Sequence, residues 1–141
     1  MGLWGLMDPM KSKIVLLLVL LSLTACGKAR TAMLSDRVES FNESLRWSSI
    51  KAASAFMADN NKRSLIDQYS KDFQRSKIVE YSILDIGLDP SKETGTVLVE
   101  FSYYNNSTQD LAYRQELQTW KFDSKAKNWV VKESRPVAKN E

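Results

Sequence analysis

Between residues 32 and 73 the apolar positions recur every three or four residues, whereas between residues 78 and 133 they alternate every second residue. The chain therefore reads as helices followed by strands. Leu34, Val38, Phe41 and Leu45 fall at intervals of four, three and four, which places them on one face of a first helix, with Asp36, Arg37, Glu39 and Glu43 elsewhere. Ser48 or Ser49 is placed to cap a second, short helix carrying Ile50, Ala53, Phe56 and Met57, and Asp59-Asn60-Asn61 stops it. Leu65, Ile66, Tyr69 and Phe73 form the stripe of a third helix.

Turn-rich stretches at residues 89–93, 105–109 and 123–128 divide the second half into four strands. Pairing apolar with apolar sets Leu88 opposite Val97, Ile86 opposite Val99 and Leu84 opposite Phe101 in the first hairpin. In the second it sets Val97 opposite Leu117, Phe101 opposite Tyr113, Tyr103 opposite Leu111 and Glu100 opposite Arg114. In the third it sets Phe122 opposite Trp129 and Trp120 opposite Val131. Parity changes along the strands: Val79, Tyr81 and Ile83 are odd but Leu84, Ile86 and Leu88 even, and residues 111–117 give way to Trp120 and Phe122. Such switches imply bulges, which bend a sheet. The predicted fold is α+β: N-terminal helices packed in the concave face of a curved four-stranded antiparallel meander sheet, making a cone.

The N-terminus carries a different signal. Lys11 and Lys13 precede an aliphatic run, Ile14 to Leu21, followed by Ser22-Leu23-Thr24-Ala25-Cys26. This is the order of a secretory signal. The 13 residues from Ile14 to Cys26 span about 20 Å as a helix, short of a hydrocarbon core of about 30 Å. Leu23-Thr24-Ala25-Cys26 resembles the lipobox of bacterial lipoproteins, and the resemblance implies cleavage before Cys26 and acylation of its sulfur and new amine. Met10-Lys11-Ser12-Lys13 is a well-formed signal start, which marks Met10 as a candidate initiator.

The expected organisation is a lipoprotein signal peptide over residues 1–25, a lipidated tether over 26–31, one α+β domain over 32–136 and a polar tail over 137–141. Gly27 rather than Asp follows the cysteine, which in enteric-type sorting goes with the outer membrane. The expected location is the bacterial envelope, at the periplasmic face of that membrane.

Composition narrows the chemistry. The chain has no histidine and one cysteine, which removes histidine-based triads, zinc clusters and structural disulfides together. Twenty basic against seventeen acidic residues give +3 over 141 residues, and removing residues 1–25 takes away Lys11, Lys13 and Asp8 to leave +2. That is too little for a nucleic-acid footprint. No cofactor or metal is expected.

Leu45-Arg46-Trp47, Tyr103-Tyr104, Gln118-Thr119-Trp120-Lys121 and Trp129 complete a second resemblance. Three helices followed by a curved sheet carrying these motifs resemble the nuclear-transport-factor-2-like, or cystatin-like, superfold, and within it small proteobacterial lipoproteins. Enzymes of that superfold place a carboxylate with tyrosine or histidine inside the cone. With histidine absent, the resemblance leaves Asp85, Glu100 or Glu116 with Tyr69, Tyr81, Tyr103 or Tyr113. A ketosteroid-isomerase-like site needs such a carboxyl group in an apolar pocket with a raised pKa, and Asp85 shares the parity of Tyr81 and Ile83.

Trp47, Trp120 and Trp129 read either as caps on a small core or as anchors for a partner. The candidate pocket or interface residues are thus Trp47, Tyr81, Asp85, Tyr103, Trp120 and Trp129, beside Cys26 for lipidation. The expected function is a non-catalytic envelope module for a protein partner or a small hydrophobic ligand; the alternative is a hydrolase or isomerase using a buried carboxylate.

Overall fold

The computed structural model describes residues 9–138, with side chains for 13, 14 and 29–138. Residues 1–8 and 139–141 and the Cys26 side chain lie outside the description. The element order is α1 (Pro9–Arg46), α2 (Ile50–Ser54), α3 (Lys62–Arg75), β1 (Ser76–Leu88), β2 (Thr94–Asn105), β3 (Leu111–Asp123) and β4 (Asn128–Pro136). The strands form one antiparallel meander in the order β1-β2-β3-β4, the α+β architecture expected.

Helix α1 runs without a break through residues 26–31, where a tether was expected. No proline interrupts that stretch, and Lys28, Ala29 and Arg30 are all good helix formers. Packing also begins earlier than residue 32. The Arg30 guanidinium donates to the Lys92 carbonyl at 2.9 Å and lies 4.1 Å above the Phe122 ring, while the Arg30 carbonyl accepts from Trp129 Nε1 at 3.1 Å. None of the helices in the described residues is long and apolar enough to cross a membrane.

The α1 stripe is buried as read: Leu34, Val38, Phe41 and Leu45 are all inaccessible. Past Arg46 the chain reverses through Ser48, whose φ of 54° ends the helix in the left-handed region. Ser49 then caps α2, its hydroxyl accepting from the Ala52 N–H at 3.3 Å. Phe56 and Met57 follow α2 and run beside β4, with Val131 N–H to Phe56 O and Ala58 N–H to Val131 O both at 2.8 Å.

Phe41 sits at the centre of the core. It meets Trp120 edge-on at 5.5 Å between centroids, Tyr69 at 6.0 Å and Phe56 at 6.3 Å. Such pairs add about 0.5–1.5 kcal/mol beyond the area they bury.

The third hairpin has the expected register, Phe122 with Trp129 and Trp120 with Val131. The other two require correction. In the first, Leu88 pairs with Gly95, Ile86 with Val97, Ile83 with Val99 and Tyr81 with Phe101, with bulges between Ile78 and Glu80 and between Ile83 and Asp85. The bulges in β1 agree with the parity switch, whereas Gly95 offers no apolar side chain for pairing apolar with apolar to match. There a Cβ would stand 2.7 Å from Leu34 Cδ2, so glycine lets α1 approach the sheet.

In the second hairpin every pair slips by one: Val97 faces Gln118, Phe101 faces Arg114, Glu100 faces Gln115 and Tyr103 faces Ala112. A slip of one exchanges the two faces of a strand. Consequently β3 turns Arg114, Glu116, Gln118, Trp120 and Phe122 toward the helices and leaves Leu111 and Tyr113 exposed. The expected switch of face within β3 is absent; the irregularity at Thr119/Trp120 comes from an extra residue, Lys132, on β4.

Candidate functional site

The structure separates the residues singled out in the sequence. Trp120 and Trp129 are fully buried. The Trp120 indole donates to Gln118 Oε1 at 3.2 Å, and Trp129 packs edge-on to Phe122 at 5.5 Å. Trp47 is 70% exposed, beyond the C-terminal end of α1, with its indole N–H on Glu43 Oε1 at 2.7 Å and the Arg46 guanidinium 5.6 Å from the ring.

Asp85 is exposed and pairs with Leu98 on the face of the sheet away from the helices. The bulge before it undoes the parity it shares with Tyr81 and Ile83. Tyr81 is half-buried and donates to Glu39 Oε2 at 2.9 Å; burial, then that bond and the nearby Glu39 and Glu43 charges, hold its phenol above the ordinary range. Tyr103 lies under the Arg114 guanidinium at 5.2 Å. These six residues do not converge on one pocket.

A different group does converge inside the cone. The inward parity of β3 carries Arg114 and Glu116 beneath α3, which supplies Tyr69 and Asp72 from successive turns, and β4 supplies Ser134. Glu116 is 2% exposed and accepts from the Ser134 hydroxyl at 3.1 Å. Arg114 Nε stands 3.4 Å from Glu116 Oε1 and Arg114 Nη2 3.6 Å from Asp72 Oδ2, contacts of charge without hydrogen-bond geometry. The Tyr69 hydroxyl is buried against Ser134 and Glu116 and makes no well-formed hydrogen bond.

Burial dominates the electrostatics of this cluster. It raises the Glu116 carboxyl above the ordinary glutamate range, opposed by the Arg114 charge and the Ser134 bond and reinforced by Asp72. It raises the Tyr69 phenol as well, with Glu116 adding to the shift. Glu116, one of the acids weighed from sequence, is thus in a perturbed environment, and Tyr69 is its phenolic neighbour. Arg114, Asp72 and Ser134 were missed. The available signal was the even parity of Trp120 and Phe122, which extends back through Gln118, Glu116 and Arg114.

An acid–base pair acts only on what reaches it. Surface clefts of about 390, 380 and 560 Å³ lie along α3, the α2–α3 loop and β4, and Glu116 and Tyr69 line none of the three. A smaller one of about 200 Å³, between Tyr113 and residues 136–138, touches Arg114 but not Glu116. The space inside the cone around the cluster is taken by Phe41, Phe101, Trp120 and Tyr69, all fully buried.

No protein-family model matches the chain, and no curated protein matches it. Solved structures match its fold. A ketosteroid isomerase-like protein from Erwinia carotovora atroseptica superposes with a TM-score of 0.62 at 15% identity, over 76% of this chain and 95% of that one. An NTF-2-like protein of unknown function from Shewanella oneidensis gives 0.58 at 10% identity, over 75% and 97%. A cystatin-like-fold protein of unknown function from Nostoc punctiforme gives 0.55 at 9% identity, over 75% and 88%. The fold is thus NTF2-like, or cystatin-like, and fold alone assigns no activity.

Proposed function

We propose that the chain is a lipid-anchored protein of the bacterial envelope, held through Cys26 at the periplasmic face of the outer membrane, and that its domain is a non-catalytic binding module for a protein partner. The observation that carries the binding reading is the contrast between the tryptophans: Trp120 and Trp129 fill the interior, whereas Trp47 is presented to solvent at the end of α1, its indole fixed by Glu43. Large aromatics held in one orientation are the residues on which interfaces depend. Arg30, where the chain leaves the proposed anchor, and Arg46 are sixteen helical steps apart, about 24 Å. The partner-facing end thus stands away from the membrane. A filled interior favours a protein over a small hydrophobic ligand.

The anchor is tested by metabolic labelling with a palmitate analogue: the wild type takes the label and Cys26→Ala loses both label and membrane association. The binding reading is tested by crosslinking in cells followed by purification of a tagged chain. A specific adduct that disappears in Trp47→Ala supports it, and an unchanged adduct pattern removes Trp47 from the interface.

A second reading, a hydrolase or isomerase, draws on Glu116, whose burial beside Tyr69 matches the environment of a catalytic carboxyl group. It requires a substrate whose turnover is abolished by Glu116→Gln in a folded protein.

A further inference from the structure

The stretch between Cys26 and the folded domain is short, and it leaves the domain at one defined end. Arg30 is the fourth residue after Cys26, about 6 Å away as helix and at most about 14 Å extended. Arg30 is fixed to both turns at that end: it donates to Lys92 O in the β1–β2 turn, and it stacks on Phe122 and accepts from Trp129, which flank the β3–β4 turn. The Phe122 N–H on Glu93 O at 2.8 Å ties the two turns together. Any lipid on Cys26 must therefore bring this end of the sheet against the bilayer.

The same end is built with cations outward. Lys92, Lys125 and Lys127 are exposed at the tips of the two turns, and among the described residues none of them forms an ion pair. The acids beside them are Asp89, Glu93 and Asp123. Asp89 accepts from the Ser91 hydroxyl at 2.8 Å and the Thr94 N–H at 3.4 Å, and Asp123 from the N–H groups of Lys125 at 2.9 Å and Ala126 at 3.4 Å, bonds that shape the turns without cancelling charge, but Arg30, Lys92, Lys121, Lys125 and Lys127 at this end outnumber the three acids. Lys28 lies in the short stretch leading to the anchor.

We propose that the paired turns bearing Lys92, Lys125 and Lys127 dock on an anionic phospholipid surface and fix the orientation of the domain on its membrane. The inference rests on the lipid-anchor reading. Juxtamembrane lysines are attracted to anionic headgroups within about a Debye length, about 10 Å at 0.1 M salt, and the helical stretch from Cys26 to Arg30, about 6 Å, is shorter than that.

The test uses the chain purified from bacterial membranes and reconstituted into vesicles carrying a nitroxide-headgroup quencher, with dye on a cysteine introduced at Ser124 or at Ser107. These positions lie at opposite ends of β3, roughly 40 Å apart along the strand. The mass of the purified protein first reports acylation of Cys26. In phosphatidylglycerol vesicles the dye at 124 is expected to be quenched and the dye at 107 to stay bright. Quenching at 124 is expected to weaken, while the anchor keeps it above that at 107, in the combined Lys92→Gln, Lys125→Gln, Lys127→Gln variant, in phosphatidylcholine vesicles, and at about 0.5 M salt, where the Debye length falls to a few Å. Equal quenching at both sites, or quenching at 124 indifferent to the three substitutions and to the lipid, overturns the proposal while an acylated Cys26 keeps the anchor. An unmodified Cys26 overturns both.

Discussion

Asn42 and Gln118 exchange amides across the buried core: Gln118 Nε2 donates to Asn42 Oδ1 at 2.8 Å and Asn42 Nδ2 to Gln118 Oε1 at 3.3 Å. Asn42 also donates to Val38 O at 2.8 Å, and Gln118 Oε1 accepts the Trp120 indole. The pair, fully buried, joins α1 to β3. Gln118→Leu strands the Asn42 carbonyl and the Trp120 N–H, at about 1–3 kcal/mol for each group left unpaired. Asn42→Leu combined with Gln118→Leu removes both amides and is expected to be more stable than Gln118→Leu alone. Urea midpoints of the three variants decide it, and a double variant no better than the single refutes the coupling.

The tryptophans should separate in the same measurement. Trp129 is held from both sides by α1, its indole by Arg30 O and its carbonyl by Arg37 Nε at 3.0 Å. Trp129→Ala is expected to cost about 3–5 kcal/mol, a large part of the roughly 5–15 kcal/mol available to a domain of this size. Trp47→Ala, at an exposed position, is expected to stay within about 0.5 kcal/mol. A large loss at Trp47 would make it a structural residue and remove it from the proposed interface.

The two halves of the chain were unequally legible, and the difference has a physical origin. The stripe of α1 reads directly because only one of its faces is apolar. The β3–β4 hairpin reads directly because Trp120, Phe122, Trp129 and Val131 outweigh anything on the opposite face. On the first half of β3 the balance inverts: Leu111, Tyr113 and Leu117 point away from the helices while Arg114, Glu116 and Gln118 point inward. Matching apolar to apolar then selects the wrong face, since nothing local signals that α3 and β4 will supply polar partners. The same blindness hid most of the polar cluster. Glu116 and Tyr69 were visible as residue types, but Asp72 and Ser134 come from elements that meet them only in the folded chain. Asp85 was misplaced by one bulge.

Gly95 and Gly87 offer a matched pair. A methyl group at Gly95 would meet Leu34 Cδ2 at 2.7 Å, whereas one at Gly87 would meet Thr96 Oγ1 at an ordinary 3.4 Å. Leu34 is fully buried and has little room to give way. Gly95→Ala is expected to destabilise by about 1–3 kcal/mol, the usual cost of overpacking, and Gly87→Ala to be near neutral. Leu34→Ala should relieve the clash, so Gly95→Ala should cost less in that background. Equal costs in both backgrounds would place the strain elsewhere.

Glu116 predicts a pH dependence with a definite sign. Its carboxyl group is raised in the folded state, so the folded protein holds the proton more tightly than the unfolded chain. The stability this group contributes is complete below the ordinary glutamate pKa of about 4.3 and is lost as the pH rises through the raised value. Glutamine keeps the shape and the neutral charge at every pH. The stability of Glu116→Gln relative to the wild type should therefore grow as the pH rises above that ordinary value and level off once Glu116 is ionised in the fold, with each unit of elevation worth about 1.4 kcal/mol. Arg114 and Ser134 act against this shift. Replacing Ser134 by alanine removes the hydrogen bond that favours the carboxylate and is expected to raise the titration further, while leaving the ion contacts of Arg114 in place. Urea unfolding from pH 4 to pH 8, with the carboxyl carbon of Glu116 followed by NMR, measures both effects. If the wild type instead gains on Glu116→Gln as the pH rises, the Arg114 charge outweighs burial, and Glu116 is an ordinary ion-pair partner rather than a carboxyl group raised by the core.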